Sequence, residues 1–357
     1  MKKMTMSKTS KQNFITYAMV IVAYVIFQTL SATGNLSSLM QGLLVPLCTY
    51  SILAVSLNLT VGVLGELSLG QAGFMCIGAF SSAFFTACMK DTITNDLLRF
   101  ILAFIVAAVC AGICGILIGI PVLRLKGDYL AIVTLAFGEI IMNIINALYV
   151  GRDENGFHFS MKDSMSLNMS DSGKIIIKGA QGITGTARQS TFTIGIILLL
   201  LTLVVVLNLM NSRSGRAIMS IRDNRIAAES VGIDITKYKI MAFAISASLA
   251  GLAGCLYAHN LSSLTALPKN FGYNMSIMIL VYVVLGGMAN MRGSVIAAVL
   301  LTMIPELLRE IGEYRMLIYA VIMIVMMIFN WSPKVKEWRE AHSIKGAFHK
   351  KNVKEAE

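Results

Sequence analysis

The residues of this sequence that could do chemistry are few, and they are not grouped as an enzyme would need. The sequence contains neither the zinc-binding pattern H-E-x-x-H nor the phosphate-binding pattern G-x-x-x-x-G-K-[ST]. The histidines are scattered in loops or the C-terminal tail, and the cysteines lie in or at the ends of apolar runs. They are His158, His259, His342, His349, Cys48, Cys76, Cys88, Cys110, Cys114 and Cys255. We therefore expect no catalytic centre, metal site, disulfide or cofactor.

Glu139 is the ionisable residue that lies deepest within an apolar run. It stands in the stretch LAFGEIIMNII, about ten residues into the run 129–149. An uncompensated charge at that depth in a bilayer costs several kcal/mol, so the side chain should face the protein interior. It is then either protonated or paired with a group on another helix or subunit. A functional role and a structural hydrogen-bonding role are equally open.

Two glycine-rich stretches could place irregular backbone in or near a membrane. In GVLGELSLGQAGF, Glu66 and Gly70 belong either to a broken or re-entrant passage or to a site of close helix packing. In VVLGGMANMRGS, two adjacent glycines precede Arg292 and predict a tight hairpin that returns into the membrane. The candidate pathway or intramembrane polar residues are Glu66, Glu139, Gly70, Gly286 and Gly287.

The segment GRAIMSIRDNRIAAESVGIDITKYK, residues 215–239, is basic and helical in pattern, although it stands between two apolar runs. On one helix, its apolar positions within about 140° of arc are Ala217, Ile218, Ile221, Ala228 and Val231. Met219 and Ile226 fall outside this stripe, and Asp223 with Asn224 could split the segment into two short helices. Amphipathic helices of this kind lie on a lipid surface or dock into a partner. A partner dock explains the apolar positions better than a solvated connector does.

Composition assigns these stretches to a membrane protein. Of the 357 residues, 56% are hydrophobic and 14% are charged, too few charges to cover a soluble domain of this length. A spanning helix needs about 20 apolar residues. The candidate runs are 14–30, 39–62, 67–89, 97–120, 129–149, 191–210, 240–258, 275–289, 294–308 and 315–330. The eighth and ninth runs are short and could be one broken hairpin. We predict an all-α, polytopic integral membrane protein of eight to ten transmembrane helices, which could include re-entrant or broken segments.

Positive charge predicts the orientation of these helices. With ten spans and the N-terminus inside, 20 of the 30 lysines and arginines fall on the cytoplasmic side. The net charge of +11 is therefore a topology signal, and no nucleic-acid partner is expected. The predicted parts are a cytoplasmic N-tail (1–13), a transmembrane domain (14–330) and a basic cytoplasmic C-tail (331–357). The first apolar run is expected to be an uncleaved span, and the outer loop 150–190 is either a solvated connection or a docking surface.

Four stretches, in order along the chain, carry a resemblance to a known family. They are residues 56–80 (SLNLTVGVLGELSLGQAGFMCIGAF), 124–140 (RLKGDYLAIVTLAFGEI), 214–258 and 283–309. Together they resemble the LivM-type permease subunits of branched-chain amino acid importers driven by ATP-binding cassettes. GAQGI, at 179–183, departs from the family's G-G-P-N-G-I-like stretch by lacking the proline.

The resemblance implies a role for the basic segment. In such importers a cytoplasmic loop with an E-A-A-x-x-x-G pattern docks into the ATPase subunit. Here Ala227, Ala228 and Gly232 fit that spacing, while Ile226 stands in place of the glutamate. The candidate coupling residues are Gly215, Arg216, Arg222, Arg225, Ala227, Ala228, Glu229 and Gly232.

The resemblance also implies the machine around the chain. It implies a transmembrane permease domain in the bacterial cytoplasmic membrane that carries leucine, isoleucine or valine and is not itself an enzyme. The partners would be a second, LivH-like permease, two LivG/LivF-like ATP-binding subunits, an external solute-binding protein and membrane lipid. The same family includes permeases for urea and short amides, so the cargo stays open between these and other amino acids.

Two rivals from other classes make different predictions. A self-contained secondary carrier would need several intramembrane ionisable residues for ion coupling, and would work without ATPase subunits. An integral membrane enzyme would need clustered polar residues at one membrane face. The sequence shows essentially one intramembrane acid and no such cluster, so both rivals are disfavoured.

Overall fold

The computed structural model of this chain describes residues 8–34, 37–90, 92–123, 125, 127–153, 156–167, 169, 173–309 and 314–331. The chain divides into two compact units, Met1–Val299 and Leu300–Glu357. Both tails of the predicted domain division lie largely outside the described residues. The structure is predominantly helical, which confirms the all-α prediction for a polytopic membrane protein.

The helices alternate with short connections along most of the chain. In order they are α1 (Lys8–Ala32), α2 (Ser38–Asn58), α3 (Gln71–Cys88), α4 (Asp96–Val122), α5 (Asp128–Ala147), α6 (Phe192–Asn211), α7 (Arg213–Asp223), α8 (Arg225–Ser230), α9 (Ile235–Ala258), α10 (Pro268–Phe271), α11 (Tyr273–Gly286), α12 (Met291–Leu307) and α13 (Arg315–Trp331). Within the described residues, seven of these helices, α1–α6 and α9, include a stretch long and apolar enough to cross a membrane.

Helix α9 forms the centre of the first unit. It packs against α2, α3 and α4, and small residues make these contacts close. A methyl group added at Gly78 would lie 2.4 Å from the Cα of Gly251, and one added at Gly254 would lie 2.1 Å from the Met75 carbonyl oxygen. Small residues let membrane helices approach one another closely and gain packing energy. By contrast, α4 exposes a row of isoleucines, as expected of a helix that faces lipid.

The described part of the unit has five short strands, at the opposite end from α7 and α8. They are β1 (Tyr149–Asp153), β2 (Gly156–Ser160), β3 (Lys174–Lys178), β4 (Ile183–Thr184) and β5 (Ser263–Leu264). Strand β1 is central in an antiparallel sheet of order β2-β1-β3, and β4 pairs with β5. The loop 150–190 is therefore partly an ordered sheet, a structure that its polar composition did not predict.

The short eighth and ninth runs form two separate helices. Helix α11 has 14 residues and α12 has 17, and residues 287–290 join them. At about 1.5 Å per residue, α11 is shorter than the hydrocarbon core of a bilayer. It follows an irregular stretch, 259–267, and the short helix α10. The prediction of a broken segment in this part of the chain thus agrees with the structure. In the second unit, the described helix α13 is apolar and has 17 residues.

Helix α2 does not end as a regular α-helix. Its last turn, Leu59–Leu64, is π-helical and closes at Gly65, whose φ of 80° is left-handed. Residues 65–70 are not helical before α3 begins at Gln71. A π-helical turn often occurs at a functional site, and this one faces the segment that contains α7 and α8.

Candidate functional site

The basic segment lies at one end of the bundle, and most of it folds as the two short helices α7 and α8. The hydroxyl of Ser212 accepts a hydrogen bond from the Gly215 amide (3.0 Å) and starts α7. Asn224 has extended backbone that ends α7, and its side chain accepts a bond from the Ala227 amide (3.1 Å) to start α8. Side-chain oxygens at this position satisfy the free amides of a first helical turn. The split at Asp223 and Asn224 expected from the sequence is therefore found.

Gly232 ends α8 in a conformation that other residues rarely adopt. Its φ is 82°, and no atom lies within 4 Å of the position that a methyl group would take. The Gly232 amide donates to the Glu229 carbonyl (3.0 Å), and the Ile233 amide donates to the Ala228 carbonyl (3.1 Å). These bonds close the end of α8 in the way that a C-terminal glycine usually does. The glycine of the E-A-A-x-x-x-G spacing is thus required by backbone conformation and not by lack of space.

Most of the apolar stripe of this segment is buried against the chain itself and is not free to contact a partner. Ile221, Ala228 and Ile235 are buried together in a small cluster of the chain's own residues, and Ile218 joins the main core. Val231, which we assigned to the same stripe, is 74% exposed, and Ile226 is 81% exposed. The break at Asn224 changes the helical phase, so a single-helix projection misplaced Val231, whereas Ile226 lies outside the buried stripe as that projection expected. The exposed apolar surface is therefore Ile226 and Val231.

Arg222 connects α7 to the end of α2. Its guanidinium donates to the Gly62 carbonyl oxygen (3.0 Å) and to the carboxylate of Asp223 (2.9 and 3.1 Å). Its aliphatic stem fills the space beside Gly65, where a methyl group would lie 2.5 Å from the Arg222 Cγ. Arg216 reaches back to the Asn211 carbonyl (3.1 Å). The remaining coupling residues on α8, Arg225, Ala227 and Glu229, are exposed.

Glu66 forms an ion pair with Lys239, in the second turn of α9. The side chain of Lys239 is 5% exposed and that of Glu66 is 19% exposed, so the pair is largely shielded from solvent. Breaking a buried pair on one side leaves an uncompensated charge, which is strongly destabilising. Residues 65–70 are irregular, as a broken passage would be. Close helix packing is present as well, because a methyl group at Gly70 would lie 2.8 Å from the Thr134 carbonyl oxygen of α5.

The hairpin between α11 and α12 packs against the same end of α2. The buried side chain of Asn58 donates to the Ser294 hydroxyl (2.7 Å) and accepts from the Ala289 amide (2.8 Å). The turn itself is tight, because a methyl group at Gly286 would lie 2.4 Å from the Gly293 carbonyl carbon. Gly287 has a left-handed φ of 94°. The tight hairpin predicted from the sequence is thus present, and a polar side chain fixes it.

Glu139 has a partner on another helix. Its carboxylate accepts a hydrogen bond from the Tyr273 amide (2.6 Å), at the first residue of α11. A carboxylate at a helix N-terminus is stabilised by the unpaired amides and by the helix dipole. The side chain is half-buried. This contact supports the structural role for Glu139.

The opposite end of the unit carries a polar cavity of about 400 Å³. Lys90, Arg152 and Lys174 line it, together with Asp153. The guanidinium of Arg152 donates to the Cys88 carbonyl (2.7 Å), which fixes β1 on the end of α3. Nearby, in GAQGI, a methyl group at Gly182 would lie 1.9 Å from the Leu264 carbonyl oxygen. The glycine thus permits the pairing of β4 with β5.

Sequence reasoning missed two residues of this site, Lys239 and Asn58. Lys239 lies near the start of α9 and Asn58 is the last residue of α2, so each is a polar residue at the end of a long apolar helix, and this was the available signal. Both are buried and both contact residues far away in the chain. Such placement costs free energy unless the polar group is paired, so each residue marks a specific helix contact.

The sequence was compared with known families and proteins. Residues 39–329 match the family described as "Branched-chain amino acid transport system / permease component". The high-affinity branched-chain amino acid transport system permease proteins LivM of Salmonella typhimurium and Escherichia coli are 34% and 33% identical over 294 residues, which cover 80% of this chain and 67% of each relative. The fructose import permease protein FruG of Bifidobacterium longum is 25% identical over 151 residues, 39% of this chain and 43% of the relative. No solved structure matched the chain.

Proposed function

Because this chain belongs to the family of branched-chain amino acid transport system permease components, we propose that it carries leucine, isoleucine or valine across the bacterial cytoplasmic membrane. It forms the pathway with a second, LivH-like permease. Two LivG/LivF-like subunits hydrolyse ATP, and an external binding protein delivers the cargo. The names of its relatives support the cargo, and the absence of a phosphate-binding loop from this sequence supports separate ATPases.

The proposed orientation puts α7 and α8 in the cytoplasm and the strands outside, with both chain termini inside. The distribution of lysines and arginines supports this orientation, because cytoplasmic loops of membrane proteins are enriched in these residues. Six lysines and arginines lie in residues 211–239. The cavity lined by Lys90, Arg152 and Lys174 is then external, and it is available to acidic side chains of the binding protein.

The observation that carries the proposal is the exposed apolar pair on a preformed helical unit. Ile226 and Val231 point away from the cluster formed by Ile221, Ala228 and Ile235. Large apolar side chains at an aqueous end of a membrane protein gain stability when a partner covers them. The amide caps and Gly232 fix α8 before a partner arrives, so little ordering entropy opposes binding. This surface suits a groove on an ATPase subunit.

Driving force then comes from differential binding to two states of the permease pair. A ligand shifts a conformational equilibrium only by as much as its affinity differs between the two states. ATP bound between the ATPase subunits favours the state in which they are closed. The coupling segment passes this closure to the permeases, and the pair changes from inward-facing to outward-facing.

The test of the dock is a double variant, Ile226→Asp with Val231→Asp. Charges at both positions would have to be desolvated in the interface, so the ATPase subunits should no longer co-purify with the membrane-inserted complex. Met165→Asp is the matched control, because Met165 is 88% exposed in the loop 150–190, at the opposite end of the first unit. Normal co-purification of the ATPase subunits with the double variant would contradict the dock.

A second cargo class fits the same machine. FruG, which is 25% identical over 151 residues, is named as a fructose import permease, so similarity of sequence does not by itself fix the cargo. Urea, short amides and other amino acids are the alternatives to leucine, isoleucine and valine. A self-contained secondary carrier is disfavoured, because it would leave the exposed pair on α8 without a use.

A further inference from the structure

We propose that the coupling movement enters the membrane helices at the π-helical end of α2, and that Arg222 and Lys239 are the positioning residues that transmit it. This inference rests on the proposed function, and it names the route within this chain. The route begins at α7, crosses to Gly62, Gly65 and Glu66, and continues to the hairpin between α11 and α12.

The first link is between Arg222 and the π-helical turn. The guanidinium binds the Gly62 carbonyl oxygen at 3.0 Å, and the same group is oriented by two bonds to Asp223. The stem of Arg222 lies against Gly65, in space that any side chain there would fill. A side chain held by hydrogen bonds at its head and by packing along its stem has little freedom to slip. A displacement of α7 must therefore displace residues 62–65.

The second link is the ion pair between Lys239 and Glu66. Glu66 belongs to the irregular segment that follows the π-helical turn, and Lys239 belongs to α9, which directly follows the coupling helices. The pair is largely shielded from solvent, where separating two opposite charges is costly. The irregular segment is thus held from α7 on one side and from α9 on the other.

The third link leads from α2 to the hairpin. Asn58 stands just before the π-helical turn and binds the Ala289 amide and the Ser294 hydroxyl. Gly62 makes the contact close, because a methyl group there would lie 2.2 Å from the Ala289 nitrogen. A shift of the turn Leu59–Leu64 cannot leave this hairpin unmoved. The π-helical turn lies between the two contacts, and π-helical turns occur frequently at functional sites.

Arg222→Ala tests the first link in the complete complex with its second permease, ATPase subunits and binding protein. The exposed pair that forms the proposed dock, Ile226 and Val231, is untouched, so the ATPase subunits should still co-purify and hydrolyse ATP. We expect leucine uptake per ATP hydrolysed to fall at least tenfold. Arg213→Ala is the matched control, because Arg213 is exposed at the other end of α7. If Arg222 only stabilised the fold, the variant would lower the amount of complex. The ratio of leucine uptake to ATP hydrolysis instead reports whether Arg222 transmits the movement.

Two results would overturn the first link. One is an unchanged ratio of uptake to hydrolysis in Arg222→Ala. The other is loss of the ATPase subunits with an unchanged ratio in the complex that remains, since Arg222 would then belong to the dock. Failure of the unaltered complex to use ATP for uptake would instead contradict the proposed function.

The second link needs a variant that leaves no buried charge alone. The double change Glu66→Gln with Lys239→Met keeps the size of both side chains and removes both charges, so the complex should assemble. We expect the same fall in uptake per ATP, and we expect Lys237→Met, on an exposed residue two positions away, to leave the ratio unchanged. An unchanged ratio in the double variant would exclude Lys239 and Glu66 from the route.

Discussion

The glycine of the E-A-A-x-x-x-G pattern, Gly232, has a clear physical reason in this chain. Its left-handed backbone ends α8 and turns the chain toward α9. A residue with a branched Cβ in that conformation is a conformational outlier, and the cost is of order 1–3 kcal/mol. The glycine therefore fixes where the exposed pair Ile226 and Val231 is presented.

We expect Gly232→Val to insert into the membrane normally but to lower uptake per ATP hydrolysed by about tenfold, since the last turn of α8 must change direction. The measurement is uptake and hydrolysis by the same reconstituted complex. Gly42→Val is the control, because Gly42 lies in open space within a helix. Coupling at the unaltered level in Gly232→Val would show that α8 does not need this turn.

Glu139 gives a prediction that separates its two roles. Glu139→Gln keeps an oxygen that can accept from the Tyr273 amide but removes the charge, which is worth about 0.3–1 kcal/mol at a helix N-terminus. We therefore expect uptake to fall by no more than about fivefold in Glu139→Gln and much further in Glu139→Ala. Uptake by each purified complex measures this. Complete loss in Glu139→Gln would mean that the charge itself acts in the pathway, as an ion site would require.

Residue-scale reasoning from the sequence succeeded where a residue type has a single physical use. It anticipated that Asp223 and Asn224 could split the segment, and it gave pairing with another helix or subunit as one alternative for Glu139. Gly232 was singled out only because it fits the spacing of the family pattern. The same reasoning misplaced Val231, because the phase of a helix cannot be followed across a break whose angle is unknown. Lys239 was not singled out, because its ion pair joins residues 173 positions apart.

At the scale of elements, the hairpin between α11 and α12 depends on the closest backbone approach of this site. A methyl group at Gly293 would lie 1.7 Å from the Gly286 carbonyl oxygen. This oxygen belongs to the backbone, so it cannot move aside as the end of a flexible side chain could. The two helices can only meet in this way if position 293 has no side chain.

We expect Gly293→Ala to destabilise the purified complex by about 1–3 kcal/mol, the usual cost of overpacking a well-packed site. Thermal unfolding in detergent measures the change as a lower Tm. Gly42→Ala, which adds the same methyl group in open space within α2, should not lower the Tm, because alanine is a better helix former than glycine. Equal unfolding temperatures for the two variants would contradict the close contact of the hairpin.

Element-scale prediction from the sequence was good for long apolar helices and poor for the outer loop. The run 191–210 predicts α6 (Phe192–Asn211) to within a residue, because continuous apolar composition is a local signal. The sheet in 150–190 was missed, because its strands have at most five residues each. Their pairing depends on contact with the end of α3, which no local pattern reports.

At the scale of the whole molecule, the two ends of the first unit differ in chemistry. One end has α7, α8 and an exposed apolar pair, and the other has a small sheet and a cavity lined by three cationic side chains. The long helices between them bury small residues against α9 and expose apolar side chains outward. This arrangement fits a permease that is driven from one side and supplied from the other.

The most direct test of that account is uptake by proteoliposomes that contain this chain, its second permease and the two ATPase subunits. Labelled leucine and labelled urea would be offered with their respective binding proteins, and each component would be omitted in turn. The account predicts ATP-dependent leucine uptake that is lost whenever any component is missing. Uptake of urea alone would keep the machine and change its cargo. Leucine uptake by this chain alone would contradict the account, because α7 and α8 would then have no motor to bind.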